Sequence, residues 1–379
     1  MFNFFQSLFK EISNQINAYR NINILRKKEI RFIFYSEGEH YQKYAYLLIK
    51  TLSEKFPNKI YYVSSSIEDS IKDLQLNNFY IGKGFLLQYF FLTIKAENLF
   101  LTLTDLNNNI LKKTKNIKKY IYYFHSPVST TKVYTSGAFD HYDTILCIGD
   151  YQIQEIQHRE KIKKLPPKKL IKNGYFYFDY LNKKINIKKA AESVLIAPSW
   201  NYNEKYFINQ NFLSIINILL KKNYNVIFRP HPEHLKRSMH ILKKIKINID
   251  NSKFKYDLNS ENLESMEDAK CLITDNSGIA IEYSLLFKRP VLYLVDKEKQ
   301  HNSDLTDYAD LLNFEEDIKD KFGFKFNKRD FETIDLLIDK SVIDFKNRHF
   351  EIEDYLNEKI YNYNNTVNFL MNDNNEIFN

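Results

Sequence analysis

The 379-residue chain has little of what marks the specialised protein classes. Its two cysteines, Cys147 and Cys271, cannot build a disulfide framework or a cysteine-rich zinc module. Each sits in an apolar run, TILCIG and KCLITD, which reads as a free thiol buried in a strand and fits a reducing compartment. No HExxH, CxxC or paired-aspartate spacing occurs, so neither a metal site nor a cofactor is expected. The stretch IGKGF at 81–85 is not a phosphate loop, because the remaining glycine and the Lys-Ser/Thr pair are missing. No apolar run approaches the length of a membrane span and no secretory signal is evident, so nothing is expected to cross a bilayer. No RNA-binding signature or zinc spacing is present, which argues against nucleic acid as a partner.

What is present is a soluble globular composition: 44% hydrophobic, 16% aromatic and 27% charged residues, enough for real cores. The length suggests two domains. A net charge of +8 favours anionic partners such as phospholipid, nucleotide or a phosphorylated polymer.

Residues 1–28 form a basic amphipathic segment. Phe2, Phe5, Phe9, Ile12 and Ile16 recur at helical spacing, with Lys10, Arg20, Arg26, Lys27 and Lys28 supplying charge. The pattern could be a helix lying on an anionic membrane surface, though a helix packed on its domain is the plainer reading. Short apolar runs then alternate with helical stretches: IRFIFY, KIYYVSS, NFYIGKG, NLFLTLTD, KKYIYYFHS and DTILCIGD. This rhythm indicates an α/β fold with a parallel sheet covered on both faces. The basic tract 161–190, with Pro166 and Pro167, breaks the rhythm and reads as an interdomain connection. A second series follows: SVLIAPSW, YNVIFRPHP with a helix over about 233–245, KFKYDL, DAKCLITDNSG, a helix over 278–287, and PVLYL. The expected architecture is two Rossmann-like domains facing a cleft, residues 29–180 on the acceptor side and 181–345 on the nucleotide-donor side. The tail beyond 304 reads mostly as helices, and its last part, 346–379, as a helical segment crossing back to the first domain.

Polar clusters fall where strands should end, which is where open α/β sheets bind ligands. His125 in YYFHSPVSTT is placed to take a proton from a hydroxyl nucleophile, although a strand-end histidine bonded to backbone would look the same. In VIFRPHPEH, Arg229 suits a phosphate, and Pro230 and Pro232 hold His231 rigidly. Glu233 fits a helix start for dipole reasons alone, and His234 reads as an exposed position one turn in. In LITDNSGIAIEYSLLF, a turn of Asn276, Ser277 and Gly278 precedes an apolar helix whose first N–H groups suit a phosphate. Ser277 either caps that helix or donates to the anion, and Gly278 lets a ligand approach the backbone. Glu282 is a lone charge in an apolar helix and needs a partner, a ligand ribose or base being one candidate. Ser199 in VLIAPSWN could line the nucleotide side of the cleft, and a turn beside a packed Trp200 is the plain alternative.

Taken in order, FHSP, NGYFYFDYL, VLIAPSWN, RPHP and ITDNSGIAIEYSLLFKRPVLYL resemble the CDP-glycerol glycerophosphotransferase family, the polymerases and primases of teichoic acids with relatives in capsule loci. The resemblance covers roughly residues 118–295. Ser126 stands where the family's first motif has glycine, and Gly278 where its third has a second serine. TDNSG…E also resembles the T-D-S-G-G…E pattern of UDP-GlcNAc 2-epimerases. The family implies a GT-B-like fold and transfer of a polyol phosphate from a CDP-activated donor to a hydroxyl, releasing CMP. By resemblance, His125 is the base, His231 contacts the donor phosphates, and Ser277 with its helix start holds the diphosphate. The expected partners are thus a CDP-activated polyol and a glycan or lipid-linked acceptor, with cytoplasmic localisation at the inner face of the membrane. A glycosyltransferase of the same fold, and a non-enzymatic binder of polyanionic glycan, are the competing readings.

Overall fold

The structure, a computed structural model, describes residues 2–361 apart from 105, 108–110, 183, 186–191, 201–209, 238, 250, 260–262, 296–301 and 312. It divides into two compact units. The first comprises residues 1–125, 134–180 and 360–379, the second 126–133 and 181–359.

The first unit opens with helix α1 (Phe2–Leu25), followed by β1 (Ile30–Ser36), α2 (Glu39–Lys55), β2 (Ile60–Ser64) and β3 (Asn77–Tyr80). Then come α3 (Phe85–Thr93), β4 (Ala96–Leu101), β5 (Ile117–Tyr123), β6 (Thr144–Cys147), α4 (Asp150–Lys163), β7 (Lys169–Lys172) and α5 (Phe176–Asn182). The seven strands are all parallel, in the order β3-β2-β1-β4-β5-β6-β7. Because both faces of the sheet are covered, its central strands are apolar almost throughout. Phe32 and Phe34 of β1 pack with Leu48 and Leu52 of α2, and the Phe34 and Phe100 rings stack at 4.2 Å. The basic tract at 161–190 was expected to be a connection, yet it holds the end of α4, the seventh strand and α5; its last residues, 186–190, lie outside the described chain. KLIK has only two apolar residues, and β7 needs no more because it is an edge strand. Its flanking lysines are exposed, a charge pattern that blunts an edge against further pairing.

The last half of α1 is a structural part of this unit. Ala18, Ile22 and Leu25 are fully buried, and the helix packs against β3 and α3, with Tyr19 stacked on Tyr89. Its earlier turns differ: Phe5, Leu8, Phe9, Ile12 and Ile16 are all exposed. Near the other end of the chain, Tyr361 rejoins the first unit, its N–H donating to the Ile148 carbonyl at 2.9 Å and its hydroxyl to Asp150. Residues 362–379 lie outside the described chain.

The second unit contains β8 (Ser193–Ile196), α6 (Gln210–Lys221), β9 (Asn225–Phe228), α7 (Pro232–Arg237), α8 (Met239–Asn248) and β10 (Phe254–Tyr256). It continues with α9 (Leu263–Glu267), β11 (Ala269–Thr274), α10 (Ile279–Phe287), β12 (Val291–Leu294), α11 (Phe314–Phe322), β13 (Gly323–Phe326), α12 (Ile334–Lys346) and α13 (His349–Lys359). The strands are again all parallel, in the order β10-β9-β8-β11-β12-β13. Counted within the unit this is 3-2-1-4-5-6, the doubly wound order, with its switch point between β8 and β11. Val194, Ile196, Val226, Phe228, Cys271 and Ile273 form the sheet's share of the core, facing Phe212 and Ile216 of α6 and Ile334 and Ile338 of α12. The helix expected over 233–245 is described as α7 and α8, with residue 238 between them outside the described chain. The tail expected to be mostly helical also contributes β13, another short edge strand. Both cysteines are free and buried, and burial pushes the Cys271 thiol up to about 12.

Candidate active site

In the second unit, the chain leaves β8 and β11 side by side at the switch point. There Asp275 takes two hydrogen bonds from Ser199, one from its N–H and one from its hydroxyl, both at 2.8 Å. The Thr274 hydroxyl donates to the Ala197 carbonyl at 2.6 Å, closing the same seam. Ser199 was expected to face a nucleotide; buried at 1% exposure, its hydroxyl instead ties two strand ends together. Asp275, which the motif reading passed over, is the anchor of that tie.

Beyond Asp275 the turn runs through Asn276, Ser277 and Gly278 into α10. Gly278 has ordinary right-handed backbone angles, so glycine is not required there for its φ. It is required by a close approach: a Cβ at 278 would stand 2.1 Å from Ser126 Oγ. The residue that comes up to the backbone at Gly278 is thus Ser126, where a ligand had been expected. The segment 126–133 packs as part of this unit, and with α10, β12 and α11 it builds a pocket. Its lining includes Lys132, Asn276, Ser277, Tyr293, Glu315, Glu316 and Lys319.

The pocket's charges are tightly organised. Glu316 Oε1 accepts from Lys132 Nζ at 2.7 Å and from Lys319 Nζ at 2.9 Å, and Lys319 also donates to the Asn276 amide oxygen. Burial alone would raise the Glu316 carboxyl, but the two ammonium groups pull it down to about 2. Glu315 is the opposite case. Its Oε1 accepts the Ser129 N–H at 3.0 Å, while Oε2 is buried without a partner among the described residues. Burial pushes this carboxyl up to about 7, against the weaker pull of the backbone N–H groups and of Lys132 and Lys319. Glu282, expected to reach a ligand, is buried on α10 and lies outside the pocket lining.

The RPHP turn follows β9. Arg229, expected on a phosphate, is already engaged: NH1 bonds Asp257 at 2.6 Å and NH2 the Asn259 carbonyl at 2.8 Å. Burial would raise the Asp257 carboxyl, but Arg229, the Asn259 N–H and Ser265 hold it below the usual carboxylate range. His231 is half-buried, and its Nδ1 accepts the Glu233 N–H at 3.2 Å. That bond places the neutral ring's proton on Nε2. Glu233 lies in the first turn of α7 and pairs with Arg237 at 2.9 Å. His234, expected to be exposed, is 1% exposed, with Trp200 edge-on to its ring at 5.0 Å.

In the first unit His125 follows β5, the aromatic rings of Tyr41 and Tyr44 standing edge-on to it at 5.5 and 6.0 Å. The Tyr175 hydroxyl donates to its backbone carbonyl at 3.2 Å. The ring's Nδ1 is buried and has no hydrogen-bond partner among the described residues. Burial, with a smaller contribution from His40, lowers its pKa to about 4, so the imidazole is neutral near pH 7 and able to accept a proton.

Residues 169–322 match the family model described as CDP-Glycerol:Poly(glycerophosphate) glycerophosphotransferase. No curated protein matches the sequence. Among solved structures, the wall teichoic acid polymerase TagF with CDPG superposes with a TM-score of 0.56 at 14% identity, covering 98% of this chain and 96% of that one. A second TagF structure gives a TM-score of 0.51 at 14% identity over 94% of this chain and 95% of that one. The Methanocaldococcus jannaschii UDP-GlcNAc 2-epimerase in complex with UDP-GlcNAc and UDP gives 0.57 at 15% identity, covering 82% of this chain and 92% of that one. At such identities these likenesses establish the shared GT-B-like fold. The chain thus matches the CDP-glycerol:poly(glycerophosphate) glycerophosphotransferase family over residues 169–322, and it is an enzyme of the transferase class.

Proposed function

We propose that this chain moves a polyol phosphate resembling glycerol phosphate from a CDP-activated donor to a hydroxyl of a cell-surface polysaccharide or lipid-linked glycan, releasing CMP. The observation that carries the reading is the pocket at the start of α10. It gathers a hydroxyl, an amide and two ammonium groups where a helix N-terminus already favours an anion, and all but the 126–133 segment lies within the stretch that matches the family.

In the proposed step the acceptor oxygen attacks the donor's distal phosphorus. The bond from that phosphorus to the CMP oxygen breaks, and CMP leaves with the bonding electron pair. His125 takes the acceptor's proton. His231 donates from Nε2 to a phosphate oxygen, while Asn276 and Ser277 stabilise the charge that builds on the phosphates. Arg229 serves by clamping Asp257 and so holding the loop after β9. The reaction is placed in the cytoplasm, at the inner face of the membrane, with the exposed apolar turns of α1 resting on anionic lipid. Among the described residues no helix is long and apolar enough to cross a bilayer.

General-base help is typically worth about 10²–10⁴ in rate. His125→Ala is therefore expected to lower kcat by at least about 10² while donor binding, followed by calorimetry, is retained. Full turnover in that variant removes His125 from the mechanism.

A further inference from the structure

Among the described residues of the α10 pocket, Glu315 is the group whose hydrogen bonding is incomplete in a way that points to a ligand. Its neighbour Glu316 is satisfied twice over by Lys132 and Lys319. Glu315 uses Oε1 to accept the Ser129 N–H and leaves Oε2 buried without a partner among the described residues. A buried carboxylate with an empty oxygen is costly, and it is more so beside a second carboxylate. A buried carboxylic acid has no such cost if its O–H finds an acceptor. The other charged or titratable groups of the pocket are Lys132 from the 126–133 segment, Tyr293 from β12, and Glu316 and Lys319 from α11; Asn276 and Ser277 precede α10. With Glu316 offsetting one of the two lysines, the pocket is net positive only while Glu315 is neutral. Such a site takes an anion and does so best in its protonated form.

We infer that Glu315 is a proton-carrying binding residue of this pocket: anchored through Oε1 on the Ser129 N–H, it presents Oε2 as an O–H donor to an oxygen of the phosphate lodged at the start of α10. The inference rests on the reading that this pocket takes the phosphates of a nucleotide-activated donor. It adds that donor binding is linked to proton uptake by one carboxyl group. Since burial sets that carboxyl at about 7, the free protein at neutral pH carries it in both forms. The bound anion favours the neutral form, so binding draws a proton from solution, and affinity falls as pH rises above 7.

The test is titration calorimetry of the full chain with CDP-glycerol at pH 7 and 8, in buffers of different ionisation enthalpy. Both phosphates of this probe are esterified and do not titrate in that range. The expected result is uptake of roughly half a proton at pH 7 and more at pH 8, with Kd rising toward tenfold per pH unit above neutrality. Glu315→Gln, which keeps the shape and supplies an N–H donor, is expected to bind with the uptake and the pH dependence both lost. Binding by the unmodified chain without proton uptake overturns the inference alone and needs no variant. Uptake that persists unchanged in Glu315→Gln overturns it as well. No binding of CDP-glycerol at all overturns the underlying reading of the pocket, and this inference with it.

Discussion

At the residue scale the chemistry turns on how burial treats each ionisable group. His125 loses its charge to desolvation, so its imidazole is neutral across the physiological range, the form the proposed base requires. A base with a depressed pKa is lost only when pH falls through that lowered value, so the acid limb of kcat/KM should lie near 4 in place of the usual imidazole value near 6.5. The same shift bears on stability: an unfolded chain takes up this proton below about 6.5, the folded one only near 4, so folding weakens as pH drops between the two. The value of the strand-end histidine as a candidate was legible from FHSP. Its burial was not, because the rings of Tyr41 and Tyr44 that crowd it come from a helix some eighty residues earlier. Arg229 shows the converse. A permanently charged residue in a rigid turn suggests a phosphate, but its buried partner Asp257 is supplied by the loop after β10, which nothing in RPHP announces.

At the scale of elements, the arrangement that matters is the packing of segment 126–133 against α10. Local sequence gives no hint that residues following β5 belong with the second unit. Two motif departures make sense once that packing is known. The first motif carries serine where the resembled family has glycine, and the third carries glycine where that family has serine. Ser126 and Gly278 are the two positions in contact, and the Ser126 hydroxyl fills the space that a Cβ at 278 would need. Gly278→Ala is expected to cost at least about 1 kcal/mol of stability, since Ser126 Oγ must turn away from the new methyl group. Adding Ser126→Gly should recover most of that loss. A denaturant double-mutant cycle reads the coupling, and strictly additive losses would contradict the contact. The acidic start of α11 illustrates why half the pocket escaped the motif reading. Glu315, Glu316 and Asp317 follow the N-cap Asn313, and carboxylates there are expected on dipole grounds alone. Only the three-dimensional meeting of Glu316 with Lys132 and Lys319 distinguishes a site from a cap.

For the whole molecule, the parallel character of both sheets follows from the alternation of apolar runs and helices, whereas the strand orders, 3-2-1-4-5-6-7 and 3-2-1-4-5-6, come from the structure. The central strands were readable because they are apolar almost throughout. The short edge strands β7 and β13 were not: KLIK offers only a lysine-flanked pair of apolar residues, and GFKF only two phenylalanines either side of a lysine, each too short to carry a periodic signal. The amphipathic N-terminus resolves into two parts with different work. Ala18, Ile22 and Leu25 hold α1 to the first unit, while Phe5, Leu8, Phe9, Ile12 and Ile16 are exposed. The proposed membrane contact is thus best probed without removing the whole helix, which would strip the core. Phe5→Ser with Phe9→Ser should release the chain from anionic liposomes in a flotation assay and leave its unfolding midpoint unchanged. Liposome binding that survives both substitutions would assign those side chains elsewhere.

The central claim is that the bond broken lies between the donor's distal phosphorus and CMP. It is tested most directly by a donor panel of CDP-glycerol, other CDP-polyols, UDP-sugars and CMP-sugars, the distal phosphorus of each diphosphate donor carrying an isotopic label. Turnover is expected with CDP-polyols alone, with CMP as the released nucleotide and the label in the acceptor. Turnover with UDP- or CMP-sugars, or release of the labelled phosphorus still attached to a nucleoside diphosphate, would mean attack at a sugar carbon and would contradict the claim.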